Sequence, residues 1–310
     1  MTNISRDTML RVLREATDGG AEEVHFKVPN RPLMRMPNGV LVPTNLPPLS
    51  PADVKAAVFA LCALGHIEIP VAVITDHEFS FGINQLGRFR AYIYKQRGSL
   101  GAVVHRVNTR VPSLDELGLD ANVERFVGRP GVLLVAGRQR IATMHALVQG
   151  FNARERANVV ILESPLTYLH RDAMAAISHR EVGTDVPDYR TGIIQAIRVG
   201  TNLVALGDID EAPAAEAMLY AGERRVPVIA VVGSPSAEEA SWFVTRLFYG
   251  QQREDIQRRL DRQWVGTIAV TDGVAEIYDP QSSVPQLADH QGAQEIEGEA
   301  PPQLETTSGG

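Results

Sequence analysis

The residues of this chain whose spacing comes nearest to a chemical device lie between Gly131 and Gly150, in GVLLVAGRQRIATMHALVQG. An apolar run, Val132 to Ala136, leads to Gly137 and then to a helical pattern. A phosphate-binding loop has this order and reads G-x-x-x-x-G-K-S/T. Its glycines free backbone N–H groups to close on phosphate oxygens, its lysine neutralises the β and γ charge, and its hydroxyl ligates Mg²⁺. Aligned from Gly137, the pattern puts Ala142 on the second glycine, Thr143 on the lysine and Met144 on the Ser/Thr. Thr143 brings no charge, and a thioether is a poor ligand for a hard cation. Loss of the ammonium alone removes several kcal/mol of transition-state stabilisation in sites of this kind. Arg138 and Arg140 sit in the gap. One reading has them grip phosphate bidentately; the other leaves both as solvent-facing loop arginines.

The elements that must position this loop change character along the chain. Up to about Val107 they are short strands with antiparallel turn signals and two helices, Thr8 to Thr17 and a Ser50-capped helix running to about Leu64. Pro37-Asn38-Gly39 reads as a hairpin turn. Asn108 to Asp115 reads as a linker. Strands and helices then alternate, which predicts a parallel sheet with crossovers. The strands are Val132 to Ala136, Val159 to Glu163, Leu203 to Leu206 and Val228 to Val232. The helices are Ala142 to Phe151, Asp188 to Val199, Pro213 to Ala221, Ser236 to Phe248 and Glu254 to Gln263. A last strand pair turns at Asp272-Gly273. The expectation is an α/β chain of four parts: a module over 1–107, a linker over 108–115, a second domain over 116–278, and a disordered acidic tail over 279–310.

Composition narrows the class. Hydrophobic residues make up 44% and charged residues 22%, as in ordinary globular proteins. The net charge of −7 argues against non-specific nucleic-acid binding. One cysteine, Cys62 in an apolar helical run, excludes a disulfide within the chain and reads as a buried thiol. No signal peptide and no apolar run of membrane-spanning length are apparent, so a cytoplasmic location without direct membrane insertion is expected. No zinc spacing, nucleophile elbow or Ser/His/Asp set stands out.

Several stretches, in order, resemble one family. GGAEEVHFKVPNRPLMRMPNGVL, GRFRAYIYKQRGSLGAVVHRV, VPSLDELGL and SHREVGTDVPDYRTGIIQAIR are similar to the opening segment, arginine-bearing strand pair, linker and QREVG segment of the secretion-ATPase superfamily, specifically its twitching-motility, pilus-retraction branch. The resemblance covers about residues 8 to 278. It implies a PAS-like N-terminal module, a RecA-like ATPase domain and hexameric rings.

The family's chemistry can be followed residue by residue. Arg140 stands where the loop usually has a further glycine, at a point that needs backbone freedom. In Ile161-Leu162-Glu163-Ser164-Pro165, Glu163 matches a glutamate and Ser164 replaces an aspartate. Glu163 reads either as a water-orienting base or as a polar strand end. In Leu203 to Asp210, Gly207 is retained, Asp208 is one methylene shorter than the expected glutamate, and Asp210 inverts an arginine's charge. The family's next histidine falls on or near Gly233. His170 and His179 read as structural or surface residues in helix or loop. Arg88, Arg90 and Arg106 match strands whose arginines, in the family, reach the nucleotide and the neighbouring subunit; packing and surface ion pairs are the other reading.

Departures at four sites point to a non-hydrolysing structural or regulatory subunit of a type IV pilus or related secretion machine, with no cofactor expected. It would act by self-association into a ring, or by docking to an intact ATPase or to inner-membrane platform proteins. Two rivals remain: a weak ATPase using ATP and Mg²⁺ through Arg138 and Arg140 with Glu163 and Asp208, and a nucleotide sensor without hydrolysis.

Overall fold

The computed structural model describes residues 4–37, 39–68, 76–280 and 286–287. Asn38 of the expected hairpin turn, and 281–285 and 288–310 of the expected acidic tail, lie outside the described residues.

The N-terminal part is α+β. Helix α1 (Arg6–Asp18) starts at Ser5, whose hydroxyl accepts from the Thr8 N–H, and buries Met9, Val12, Leu13 and Ala16. Helix α2 (Pro51–Leu64) starts with a reciprocal cap. The Asp53 N–H donates to the Ser50 hydroxyl, and the Ser50 N–H donates to the Asp53 carboxylate at 2.9 Å. Both helices pack on an antiparallel sheet in the order β3 (Leu41–Pro43), β2 (Leu33–Arg35), β1 (Glu23–Phe26), β6 (Ser99–Arg106), β5 (Gly87–Gln96), β4 (Asp76–Ile83). Along β5 the period of two is plain: Phe89, Ala91 and Ile93 are buried in the core, while Arg88 and Arg90 take the other face. Cys62 is buried in α2.

The second part is a sheet in the order β14 (Gln286–Leu287), β13 (Val274–Tyr278), β12 (Trp264–Thr271), β7 (Gly131–Ala136), β11 (Pro227–Val231), β10 (Leu203–Asp208), β8 (Asn158–Glu163), β9 (Ala176–Glu181). From β12 to β9 every pairing is parallel; β13 and β14 add antiparallel. Strand β7 explains why a continuous apolar run is needed. Val132, Leu134 and Ala136 face one core, with α4 (Tyr189–Arg198), α5 (Ala212–Glu223) and α7 (Gln251–Asp261). Leu133 and Val135 face the other, with α3 (Arg140–Arg154). Among the described residues no helix is long and apolar enough to cross a membrane.

Three local expectations need correction. His179, expected in helix or loop, lies on strand β9, whose side chains are mostly half-buried at the sheet edge, so it lacks the apolar run that marks its neighbours. The helix expected over Ser236 to Phe248 is only α6 (Ala240–Thr245), because the Ser234 hydroxyl donates to Ser236 O and the Ala237 N–H is held by Glu276, fixing a turn first. Helix α3 starts at Arg140, two residues before the expected Ala142.

Candidate functional site

Ligand sites of open parallel sheets form beyond the carboxyl ends of the strands. Here that edge is where β7, β8 and β10 deliver Gly137, Glu163 and Asp208. Gly137 is needed for the fold itself. Its φ is 85°, and a Cβ there would stand 2.3 Å from the Val270 carbonyl oxygen on β12.

The turn that follows is closed on the protein. The Gly137 N–H donates to Ser234 O (2.8 Å), Arg138 N–H to the Thr271 hydroxyl (3.3 Å), and Gln139 N–H to Val270 O (3.0 Å). Arg140 N–H donates to Gly137 O (3.4 Å) and Thr143 N–H to Gln139 O (2.9 Å). The Gln139 side chain accepts from the Gly273 N–H at 3.0 Å. Because α3 begins at Arg140, amides that a phosphate loop would aim outward are spent on the β12–β13 hairpin and on the helix's own first turn.

The side chains follow the same rule. Thr143 is fully buried and its hydroxyl has no hydrogen-bond partner. Met144 is fully buried in the core with Leu147 and Val148. Arg140 forks onto Asp208: Nε to Oδ1 at 2.7 Å and Nη2 to Oδ2 at 3.1 Å. That hydrogen-bonded carboxylate raises the guanidinium's pKa. Arg138 instead pairs with Asp272 at 3.2 Å, with both side chains mostly exposed. Asp210 and Gly233 are exposed. The charge and hydroxyl that a triphosphate with magnesium calls for are not presented by this donor set: Arg140 is paired with Asp208, the Thr143 hydroxyl is buried, and the amides of residues 137–140 and 143 are bonded within the protein.

Glu163 lies in a different environment, 1% exposed. Its Oε1 takes the Thr167 hydroxyl at 2.8 Å and His145 Nε2 at 3.0 Å. His145 Nδ1 is 2.9 Å from His170 Nε2, and His170 Nδ1 is 2.9 Å from the Gln149 amide. The His170 N–H donates to His179 Nε2 at 3.0 Å. The three rings stack in file, with centroids 5.1 and 5.7 Å apart, and Tyr168 covers His145 at 4.7 Å. Burial, reinforced by the neighbouring imidazoles, pushes His170 down to about 3; His179 is pushed to about 4 for the same first reason. His170 and His179 are therefore neutral at physiological pH. Glu163 needs a donor at that distance, which puts a hydrogen on His145 Nε2. Among the described residues no group of His, Cys, Asp and Glu is arranged to hold a metal ion.

His179 leads onward to Glu181, two residues along the same face of β9. Glu181, 6% exposed, accepts from Arg88 Nη2 at 2.7 Å and from the Ser80 hydroxyl at 2.8 Å, both on the N-terminal sheet. The linker joins in. Asn108 N–H donates to Thr167 O, and Leu169 N–H donates to Asn108 O. Arg90 Nε lies 2.8 Å from Glu78 Oε1, an ion pair by distance in which that N–H makes no hydrogen bond. Arg106 reaches Thr17 O at 3.5 Å. Each of the three arginines thus has a partner inside the chain.

The fold brings Arg140 to Asp208 and Arg88 to the Glu163 side of the sheet, but sends Arg138, Arg90 and Arg106 elsewhere. Sequence reasoning missed His145, Thr167 and Glu181; of the structural and surface readings of His170 and His179 the structural one fits, with His170 buried and His179 half-buried. The available signal was weak: a histidine inside the helix that follows the loop, and the glutamate of the REVG segment.

No protein-family model matches the chain. It is similar to the type IV pilus ATPase PilU of Pseudomonas aeruginosa, 23% identical over 205 residues, or 64% of this chain and 53% of that protein. It is similar to the type IV pilus retraction ATPase PilT of the same organism, 22% identical over 256 residues, 81% of this chain and 74% of the relative. The match thus spans about half the length of PilU. Among solved structures, the pilus retraction motor PilT with bound ADP superposes with a TM-score of 0.75 at 21% identity, covering 88% of this chain and 83% of that one. The Legionella pneumophila ATPase DotB gives 0.73 at 16% identity, covering 90% and 82%. At these identities the structural likeness establishes a shared fold.

Proposed function

We propose that this chain, a member of the PilT-like secretion-ATPase superfamily, is a non-hydrolysing structural or regulatory subunit of a type IV pilus or related secretion machine. The observation that carries the reading is the Arg140–Asp208 fork beside a turn whose amides at residues 137–140 are bonded within the protein. With the guanidinium seated on the carboxylate, a phosphate would have to displace Asp208 from Arg140, and a water or metal would have to displace Arg140 from Asp208. Glu163 supports it further, since its carboxylate serves as an internal acceptor for His145 and Thr167. On this reading the ATPase frame is kept for assembly, as a ring of its own copies or alongside an intact ATPase, at the cytoplasmic face of the machine's membrane base.

Calorimetric titration with ATP and Mg²⁺, paired with a phosphate-release assay, tests it. No binding heat and no turnover are expected. Turnover that Glu163→Gln abolishes would replace this reading with that of a weak ATPase. Binding without turnover would make the protein a nucleotide sensor. Ring assembly is tested separately by sedimentation of the full chain.

A further inference from the structure

Charge is divided between the two edges of the parallel sheet. Six short segments lead into its strands at the amino edge: 129–130, 154–157, 171–175, 198–202, 223–226 and 258–263. Together they hold ten arginines, no lysine and four carboxylates, in a chain whose net charge is −7. The exposed acids Asp210, Glu211, Glu238 and Glu239 lie at the opposite edge, after β10 and β11. A six-residue strand separates the edges by roughly 20 Å, more than twice the screening length of about 8 Å at physiological salt. The arginine edge therefore presents its own sign to a partner, whatever the charge of the whole chain.

Helix ends explain only part of it. Helices α3, α4, α5 and α7 finish here, and a cation in a last turn suits the helix dipole. Arg156, Arg171 and Arg225 lie beyond those turns, and Arg225 takes a left-handed φ of 61° that favours glycine. With Arg198 and Arg262 they make five exposed guanidiniums without an ion-pair partner among the described residues. From β12 to β9 the array crosses six strands, roughly 24 Å at the spacing of neighbouring strands.

Apolar side chains stand at the same edge. Met174 and Val199 are 46% and 54% exposed. The Met174 N–H donates to Asn152 O at 3.0 Å, near the end of α3, and Val199 O accepts from Asn158 Nδ2 at 3.3 Å, at the start of β8. Arg171 O takes the Asn152 side chain at 2.9 Å, so Arg156, Arg171 and Arg198 share one corner with these two apolar tips. A broad face of guanidiniums with apolar tips suits a bilayer surface, lipid phosphates on the arginines and the tips at the acyl boundary. The exposed aromatic rings on which nucleic-acid bases would stack, Phe59, Trp242 and Tyr249 among the described residues, lie elsewhere.

We infer that this edge docks on a bilayer surface rich in anionic phospholipid through Arg156, Arg171, Arg198, Arg225 and Arg262, with Met174 and Val199 in contact and no helix inserted. This does not depend on whether nucleotide binds at the opposite edge.

Flotation of the full chain with vesicles tests it. Binding is expected to vesicles of phosphatidylserine mixed with phosphatidylcholine and not to phosphatidylcholine alone, and should vanish in about 0.5 M NaCl. R156Q/R198Q/R225Q should bind about a hundredfold more weakly, the scale of three arginines at an anionic surface. M174S/V199S should also bind more weakly. R11Q/R14Q/R31Q removes as much charge from exposed positions on the N-terminal part and should bind as the unaltered chain does. No binding to phosphatidylserine vesicles, equal weakening in the two arginine triples, or unchanged binding in M174S/V199S would overturn the inference. So would tighter binding to a DNA duplex than to the vesicles, which would assign the edge to nucleic acid.

Discussion

Glu163 and Asp208 close adjacent parallel strands at the same edge of one sheet. Glu163 is 1% exposed and takes its hydrogen bonds from His145 and Thr167, inside the protein. Asp208 is 39% exposed and takes them from Arg140, across a loop that meets solvent. The chemical group at the strand end is the same; the dielectric around it is not. A buried carboxylate stripped of its partner has no water to turn to, whereas an exposed one exchanges a guanidinium for solvent at little cost. The first environment therefore carries stability, and the second leaves its groups able to change partners.

Breaking the buried side should show the largest effect. His145→Ala removes one buried hydrogen-bond partner from Glu163 and one from His170, leaving Thr167 and Gln149 to hold them, and opens a cavity; it should cost about 3–5 kcal/mol in a urea denaturation. A loss under about 1 kcal/mol would mean that the file of rings is not cohesive. Acidification should come next. His170 and His179 sit at about 3 and about 4 when folded, against an ordinary 6.5. The unfolded chain thus binds protons that the folded chain refuses. Stability is complete above about pH 6.5 and falls as pH drops, until about 4 for His179 and about 3 for His170. Denaturation midpoints between pH 7 and pH 4.5 should fall in the unaltered chain and fall less in His170→Gln.

Arg88→Ala should cost about 2 kcal/mol, because it takes the charged partner from the buried Glu181 and leaves the Ser80 hydroxyl as its remaining donor from the N-terminal sheet. It should also raise hydrogen exchange across 163–170, the segment to which the linker is bonded. The smallest effect belongs to the exposed side. Arg140→Ala should change stability by less than about 1 kcal/mol, with most of that lost at high salt. A cost as large as that of His145→Ala would erase the contrast between the two carboxylates.

Much of this was open to a reader of the residues alone. The apolar run Val132 to Ala136, the glycine after it and the alternation of strands with helices predict the parallel sheet, and Phe89, Ala91 and Ile93 announce their strand by spacing. The unfitness of Thr143 and Met144 for phosphate and metal follows from their side chains. Strand β9 escaped because an edge strand with half-buried polar residues has no apolar signature. His145 escaped because a single histidine within a helix has no local mark of a partner; His170 is 25 residues away and Glu163 18.

The chain's own order of residues therefore settled most of the strands and helices, β9 and the length of α6 excepted, which faces they bury, and which loop groups are missing, since periodicity and side-chain chemistry are local properties. Which charges meet was left to the tertiary structure. Arg140 and Asp208, 68 residues apart, and the file from Glu163 to His179 are brought within hydrogen-bond reach by crossovers that set strands from distant parts of the chain side by side. Burial then fixes what each pair costs to break, and burial belongs to the assembled layers rather than to any one segment.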